Sequence, residues 1–459
     1  MDNYDFHFIA IGGVGQSALA KILLKMGYKV SGSDITESKY LRLVEKLGAG
    51  VYIGHKKENI KGTPKVVISS AIKEDNPELI EAKRLNLEII HRSDCLKYIS
   101  EIFDKFIGIA GTHGKTTTSG MVSFILEKMK ENPAYAIGGI IPELNTNANA
   151  DKNSKYFIAE LDESDGTIAK YCPDYLVINN LEADHMDFYK NGLADIISVF
   201  EKTAENMLQK GNSKIFINID NKGCLEFLKN TKFKNITTYS INSKSDYCAK
   251  NIVFSELSSS FDVYCKDKLL GKINLVIPGL HNIYNALAVV CLLDGLGFEF
   301  SSYYKYFSEF TGMGRRFQLV CDTKGIKIID DYAHHPSEIK STLDAIKDIK
   351  RRKTVIFQPH RYTRLKALWS EFLDCFNGID KLYILDVFSA GDKKDETYNS
   401  LNFCIEIVKK GIDAEYIEGD INTCAEKIAP ELKKGDIVLT LGAGDITKIG
   451  GVINDLLSK

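Results

Sequence analysis

Gly111-Thr112-His113-Gly114-Lys115-Thr116-Thr117 gathers two glycines, a lysine and three hydroxyls into seven consecutive residues. Glycines open backbone N–H groups to an anion, a lysine neutralises outer phosphates, and a threonine hydroxyl can reach Mg²⁺. The run Phe106-Ile107-Gly108-Ile109-Ala110 ahead of it reads as a buried strand. Residues 119–130 behind it place Met121, Val122, Phe124, Ile125 and Met129 at helical spacing. Strand, glycine turn, Lys-Thr and helix form the layout of a phosphate cradle. The loop is shorter than the common P-loop pattern, because Ile109 stands where that pattern has its first glycine.

A second glycine loop lies near the start. Gly13-Val14-Gly15-Gln16-Ser17-Ala18 follows a strand expected over residues 6–11 and opens a helix reaching Met26, with Asp34 about twenty positions on. A pyrophosphate suits such a helix start. One reading is an NAD-linked oxidoreductase, which leaves Lys115 without a task. A non-catalytic nucleotide switch is another. A nucleotide-linked substrate together with ATP uses both loops.

Carboxylates and histidines follow expected strands. Glu160-Leu161-Asp162-Glu163-Ser164-Asp165 ends a strand over 156–160, where acids can hold Mg²⁺ against phosphates. Asn180-Leu181-Glu182-Ala183-Asp184-His185 ends another, and the acids around His185 favour a metal-ligand reading over a helix cap. His281-Asn282-Ile283-Tyr284-Asn285 opens a helix. Asn282 and Asn285 share a face there and could meet an adenine edge, although a helix cap is the simpler reading of the spacing. Arg315-Arg316, Asp331-Tyr332-Ala333-His334-His335 and His360-Arg361-Tyr362-Thr363-Arg364 bring guanidiniums and imidazoles suited to carboxylate or phosphate.

These residues need rigid elements behind them. Alternating strands and helices imply an α/β chain with mostly parallel sheets. Further strands are expected over 29–33, 66–70, 175–180, 214–219, 326–330, 354–358, 381–385 and 436–441. The 459 residues suffice for two to four domains. Boundaries fall at 1–104, 105–314 and 315–459, with Gly312-Met313-Gly314 as a junction. The charged run Asp392–Glu396 reads as a solvated loop. With 44% hydrophobic and 26% charged residues and a net charge of −2, nothing draws the chain to nucleic acid or membrane. The acidic start does not look like a signal peptide. Ten scattered cysteines without C-x-x-C spacing read as reduced thiols of a cytoplasmic protein.

Taken in order, these motifs resemble the Mur ligase family over essentially the whole chain. The resemblance implies a Rossmann-like domain for a UDP-sugar, a central P-loop-type ATPase and a Rossmann-like domain for an amino acid. It implies an ATP-dependent ligase that joins L-alanine to the lactyl carboxylate of UDP-N-acetylmuramate through an acyl phosphate, in peptidoglycan precursor synthesis. Gly13, Val14, Gly15, Gln16, Ser17, Asp34, Ser70, Ala71 and His185 would bind the UDP-sugar. Gly111 to Thr117, His281, Asn282, Asn285, Arg316 and Asp331 would bind ATP. Thr116, Glu160 and His185 would hold Mg²⁺, or Mn²⁺ at the histidine. His335, His360, Arg361 and Arg364 would seat the amino acid. Lys115, Glu160, His185, Arg316 and His335 would be catalytic, with His335 a candidate to deprotonate the amine. The lobes would close on the substrates, and the enzyme would be a monomer or dimer. A related ligase that attaches a preformed tripeptide shares fold, ATP and sugar, but the 162–165 and 357–362 runs look more like the alanine-adding member. Two departures stand out: Ala333 where the family often has glycine, and Asp392 where it usually has glutamate.

Overall fold

Strand Phe6–Ile9 is buried along its whole length, and Val30–Asp34 is buried but for its last residue, as expected for strands covered on both faces. The protein is described by a computed structural model covering residues 3–184 and 188–458. Its first sheet is entirely parallel, in the order Gly50–Ile53, Val30–Asp34, Phe6–Ile9, Lys65–Ile68, Ile89–His91. Strand order reverses beside Phe6–Ile9, and ligands gather at the carboxyl ends of strands at such a point. That strand stops two residues earlier than expected because Ala10 takes φ +67°.

The second sheet has ten strands, and its centre runs Lys214–Asn218, Tyr175–Ile178, Lys105–Ala110, Tyr156–Glu160, Ala134–Ile141, all parallel. Ile109 pairs with Glu160, and Ala110 with Ile178, so three strand ends surround the loop at Gly111. The helix after that loop begins at Lys115, four residues earlier than expected, and runs to Lys128. The third sheet runs Gln318–Thr323, Ile326–Asp331, Ile437–Leu441, Lys353–Phe357, Lys381–Leu385, Ala414–Ile417. Only its first pair is antiparallel.

Three α/β domains result, grouped in two compact units. The first unit comprises Met1–Val253, Ser259–Val276 and His281–Phe310; the second comprises Phe254–Ser258, Ile277–Leu280 and Thr311–Lys459. All ten cysteines are free. Among the described residues, no helix is long and apolar enough to cross a membrane.

Candidate active site

Two left-handed glycines shape the Lys115 loop. Gly111 has φ +125° and Gly114 φ +83°, a region that side chains disfavour. A Cβ on Gly114 would stand 2.5 Å from Asn285 Oδ1, and one on Gly111 would stand 2.8 Å from Asn180 O. Asn180 braces the turn: its carbonyl accepts from Thr112 N (3.1 Å) and its Oδ1 from His113 N (2.7 Å). Thr112 Oγ1 in turn accepts from Glu182 N at 3.0 Å. The helix at Lys115 starts with no side-chain cap, so the N–H groups of its first turn, Lys115 to Thr117, remain for an anion.

Lys115 is engaged within its own loop. Its Nζ donates to Gly111 O at 2.6 Å and to both Glu163 oxygens at 3.0 and 2.9 Å. Glu163 is 1% exposed. Burial raises its pKa even though the lysine charge opposes that. Glu163 was not singled out from sequence; it was one of four acids in a turn.

Glu160 ends its strand facing the same loop. It accepts from Thr116 Oγ1 (3.1 Å), Ser119 Oγ (3.1 Å) and Gly138 N (2.7 Å). The hydroxyl of Thr116 and the Glu160 carboxylate form a hard-oxygen pair that fits Mg²⁺, an ion that keeps several waters and shares phosphate oxygens. Among the described residues no group of three His, Cys, Asp or Glu side chains is placed to hold a metal ion. His185 lies outside the described residues.

Asn282 and Asn285 share a helix face, and both are 4% exposed. Asn285 Nδ2 donates to Asn282 Oδ1 (3.2 Å), while its own Oδ1 accepts from Thr118 Oγ1 (3.2 Å). Asn179, which sequence reasoning passed over, donates to the same Thr118 hydroxyl at 3.0 Å. The asparagine pair thus ties the helix Leu280–Gly295 to the phosphate-loop helix. His281, next to them, is exposed.

The first glycine loop is built differently. Helix Val14–Lys25 begins after Gly13 with no side-chain cap. Asp34 Oδ2 accepts from Gly12 N at 2.9 Å, holding the turn. Gln16 and Ser17 turn their side chains inward: Gln16 Nε2 donates to Ile9 O (3.4 Å) and Ser17 Oγ to Val14 O (3.0 Å). Ser17 N is also taken, by Gly13 O at 2.9 Å. Ser70 and Ala71 are exposed beyond the neighbouring strand Lys65–Ile68, with Ser70 Oγ 3.1 Å from His91 Nε2.

One cleft of about 380 Å³ is lined by both loops, Val14 and Gly15 from the first and Lys115 from the second, with Glu160 from the adjoining strand end. A single substrate anion chain can therefore span from one helix start to the other.

In the second unit, the two adjacent arginines divide their tasks. Arg315 clamps the backbone, donating from Nη2 to Gly442 O (2.5 Å) and from Nε to Asp330 Oδ2 (3.3 Å). Arg316 is more open, with Nη1 3.7 Å from Glu338 Oε1. Both guanidiniums stand over the Tyr332 ring, at 4.9 and 5.5 Å. Asp331 spends its oxygens on Phe317 N (2.7 Å) and Ala333 N (2.8 Å), and burial pushes its pKa up to about 6. Ala333 has no left-handed φ, so alanine fits where glycine was expected.

His335 Nδ1 caps the helix Pro336–Asp344, accepting from Ser337 N at 3.4 Å, while Glu338 accepts from His335 N at 3.2 Å. Only Nε2 is left for other work. His360 stacks on Phe388 with ring centres 5.6 Å apart, and its Nδ1 accepts from Arg364 Nη1 at 3.2 Å. Burial, then the charges of Arg364, His334 and Arg361, lower its pKa to about 4, so the imidazole is neutral near pH 7. Arg361 sits at φ +70°, with Nε 3.4 Å from Asp392 Oδ1. Asp392 also accepts from Thr363 N (3.0 Å) and Thr363 Oγ1 (2.6 Å). Lys393, Lys394 and Glu396 of that charged loop are exposed as expected, but Asp392 turns inward and fixes the Arg361 turn. Glu338 and Phe388 carry no motif signal; proximity alone reveals them.

Comparison with known proteins agrees with this geometry. Residues 109–293 match the Mur ligase middle domain, residues 5–103 the Mur ligase family catalytic domain, and residues 315–444 the Mur ligase glutamate ligase domain. The UDP-N-acetylmuramate–L-alanine ligase of Dictyoglomus turgidum is 41% identical over 450 residues, covering 97% of this chain and 95% of that protein. The solved UDP-N-acetylmuramate–alanine ligase of Thermotoga maritima superposes with a TM-score of 0.84 at 26% identity, covering 99% of this chain and 100% of that one. A murein peptide ligase from Psychrobacter arcticus shares the fold at 22% identity and a TM-score of 0.70, covering 100% and 99%. With three domain matches in order and full-length relatives at this identity, the chain belongs to the Mur ligase family.

Proposed function

We propose that this chain joins L-alanine to the lactyl carboxylate of UDP-N-acetylmuramate, with ATP as the energy source. The observation that carries it is the shared cleft, which brings the start of helix Val14–Lys25 and Lys115 onto one cavity wall. A diphosphate at the first loop leaves the carboxyl end of the same molecule beside the second. The γ-phosphoryl group passes to that carboxylate, giving an acyl phosphate. The alanine amine attacks it, and the tetrahedral adduct collapses to amide and phosphate.

The protein's part is mainly charge and alignment. Lys115 leaves Glu163 for the γ-phosphoryl oxygens. The N–H groups of Lys115, Thr116 and Thr117 receive the phosphates. Thr116 and Glu160, together with His185, would hold Mg²⁺, which supplies charge neutralisation there. Asn282 and Asn285 would flank the adenine. Arg361 and Arg364 would take the amino-acid carboxylate, with neutral His360 orienting Arg364. His335 Nε2 is the remaining candidate to receive the ammonium proton. The functional division at 1–104, 105–314 and 315–459 follows from these assignments. A soluble reaction among small molecules fits the cytoplasm.

The decisive assay is phosphate release from ATP. Release is expected only when UDP-N-acetylmuramate and L-alanine are both present. Equal or better release with a preformed tripeptide in place of alanine would overturn the choice of amino acid. Release without the sugar nucleotide would overturn the ligase reading.

A further inference from the structure

The cleft between the two glycine loops carries a second cation that no motif announced. Arg92 opens the helix Arg92–Ser100, whose start is fixed by a reciprocal cap: Ser93 N donates to His91 Nδ1 (3.3 Å) and His91 N to Asp94 Oδ2 (3.3 Å). The side chain reaches back across the first glycine loop. A Cβ on Gly15 would stand 3.3 Å from Arg92 Nη1, so glycine at that position leaves the first helical turn open to the guanidinium. Nη2 meets Asp162 Oδ2 at 3.2 Å, and the Arg92 side chain keeps 38% of its surface exposed. Among the described residues lining this cleft, Arg92 and Lys115 are the only cations. Lys115 is held at the far loop. Arg92 is held at the near one, beside the uncapped start of helix Val14–Lys25.

We propose that Arg92 binds the diphosphate of the sugar nucleotide and so sets how far its carboxylate reaches toward Lys115. The inference rests on the ligase reading. A guanidinium and a helix start converging on one point suit a diphosphate, since planar N–H donors match phosphate oxygens in pairs while backbone N–H groups take the others. Asp162 holds the guanidinium in place while one edge stays open to the cleft. Lysine at this position would keep the charge but lose the fork.

Equilibrium binding to the full-length protein tests it, using UDP-N-acetylmuramate, UDP and ADP as three separate probes. In R92A the affinities for UDP-N-acetylmuramate and UDP should both fall about tenfold or more, the scale of a lost charge-assisted contact. R92K should recover part of the loss. ADP affinity and the thermal midpoint should stay within experimental scatter. Unchanged UDP affinity in both variants overturns the inference, including the case where only UDP-N-acetylmuramate weakens, which would place Arg92 on the carboxylate. Equal loss of ADP affinity also overturns it, as a general structural effect. Should R92A fail to fold, R92K decides by the same readout. Wild-type protein that binds neither uridine nucleotide overturns the ligase reading itself; wild-type binding with an unaltered variant overturns Arg92 alone.

Discussion

The two glycine loops of the first unit share a plan and differ in what completes it. Both leave a buried parallel strand and open an uncapped helix. The loop at Gly13 takes an ordinary φ of −70° before its helix and has an aspartate bonded to its turn. The loop at Gly114 takes φ +83° and brings a lysine, a threonine and two buried or half-buried glutamates to its mouth. The first offers only helix-start N–H groups and needs a neighbour, Arg92, for charge. That suits an anion that is held and left intact. The second surrounds its anion with charge of both signs, as transfer of a phosphoryl group requires.

Predictions follow from that contrast, and the largest concerns Lys115. Lys115→Ala should lower kcat about a thousandfold or more in the phosphate-release assay, on the scale of removing a preorganised charge from a developing oxyanion. It also leaves Glu163 buried without its cation, so the melting temperature should fall. Adding Glu163→Gln should restore the melting temperature and leave kcat low. Full kcat in Lys115→Ala would erase the distinction between the loops.

Gly114→Ala should come next. It forces a left-handed residue and puts a Cβ 2.5 Å from Asn285 Oδ1. kcat/KM for ATP should drop about a hundredfold, from strain of about 1–3 kcal/mol plus the displaced asparagine. Gly12→Ala is its partner in the other loop. Its Cβ would stand 2.8 Å from Asp34 Oδ2. KM for UDP-N-acetylmuramate should rise about tenfold, and KM for ATP should not move. If both variants raised the same KM, the two loops would not serve separate anions.

A control lies outside both loops, where a carboxylate rather than glycine closes the turn. Asp331 is raised to about 6, principally by burial. In the folded protein it binds a proton that the unfolded chain releases near pH 4. Stability should therefore fall as pH rises from about 4 to about 6 and level off above that. Urea unfolding of wild type against Asp331→Asn across that window should show the slope in wild type alone.

The phosphate loop was the most legible part of the molecule because its signal is local. Glycine, lysine and threonine positions within seven residues fix both backbone and chemistry, and strands 156–160 and 381–385 emerge with the bounds expected from their apolar runs. Partners set by tertiary contact were not legible. Glu163 looked like one acid among four, Arg92 carried no motif, and the clamp that Arg315 forms on Gly442 O and Asp330 was invisible in the sequence. Each role depends on which strand end lies alongside, and spacing does not encode that. Strands Gly50–Ile53 and Ala134–Ile141 were likewise missed, the first being short and half-buried, the second interrupted by Gly138 and Gly139.

The grip of Glu163 on Lys115 gives the loop a stand-in for its ligand. A lysine already seated on a carboxylate ignores chloride, sulfate and other stray ions in the surroundings, because a weakly held visitor cannot dislodge a tethered one. Only a polyphosphate that also engages the neighbouring amides and hydroxyl has enough contacts to do so. Glutamine at position 163 should thus give a stickier enzyme and a less discriminating one.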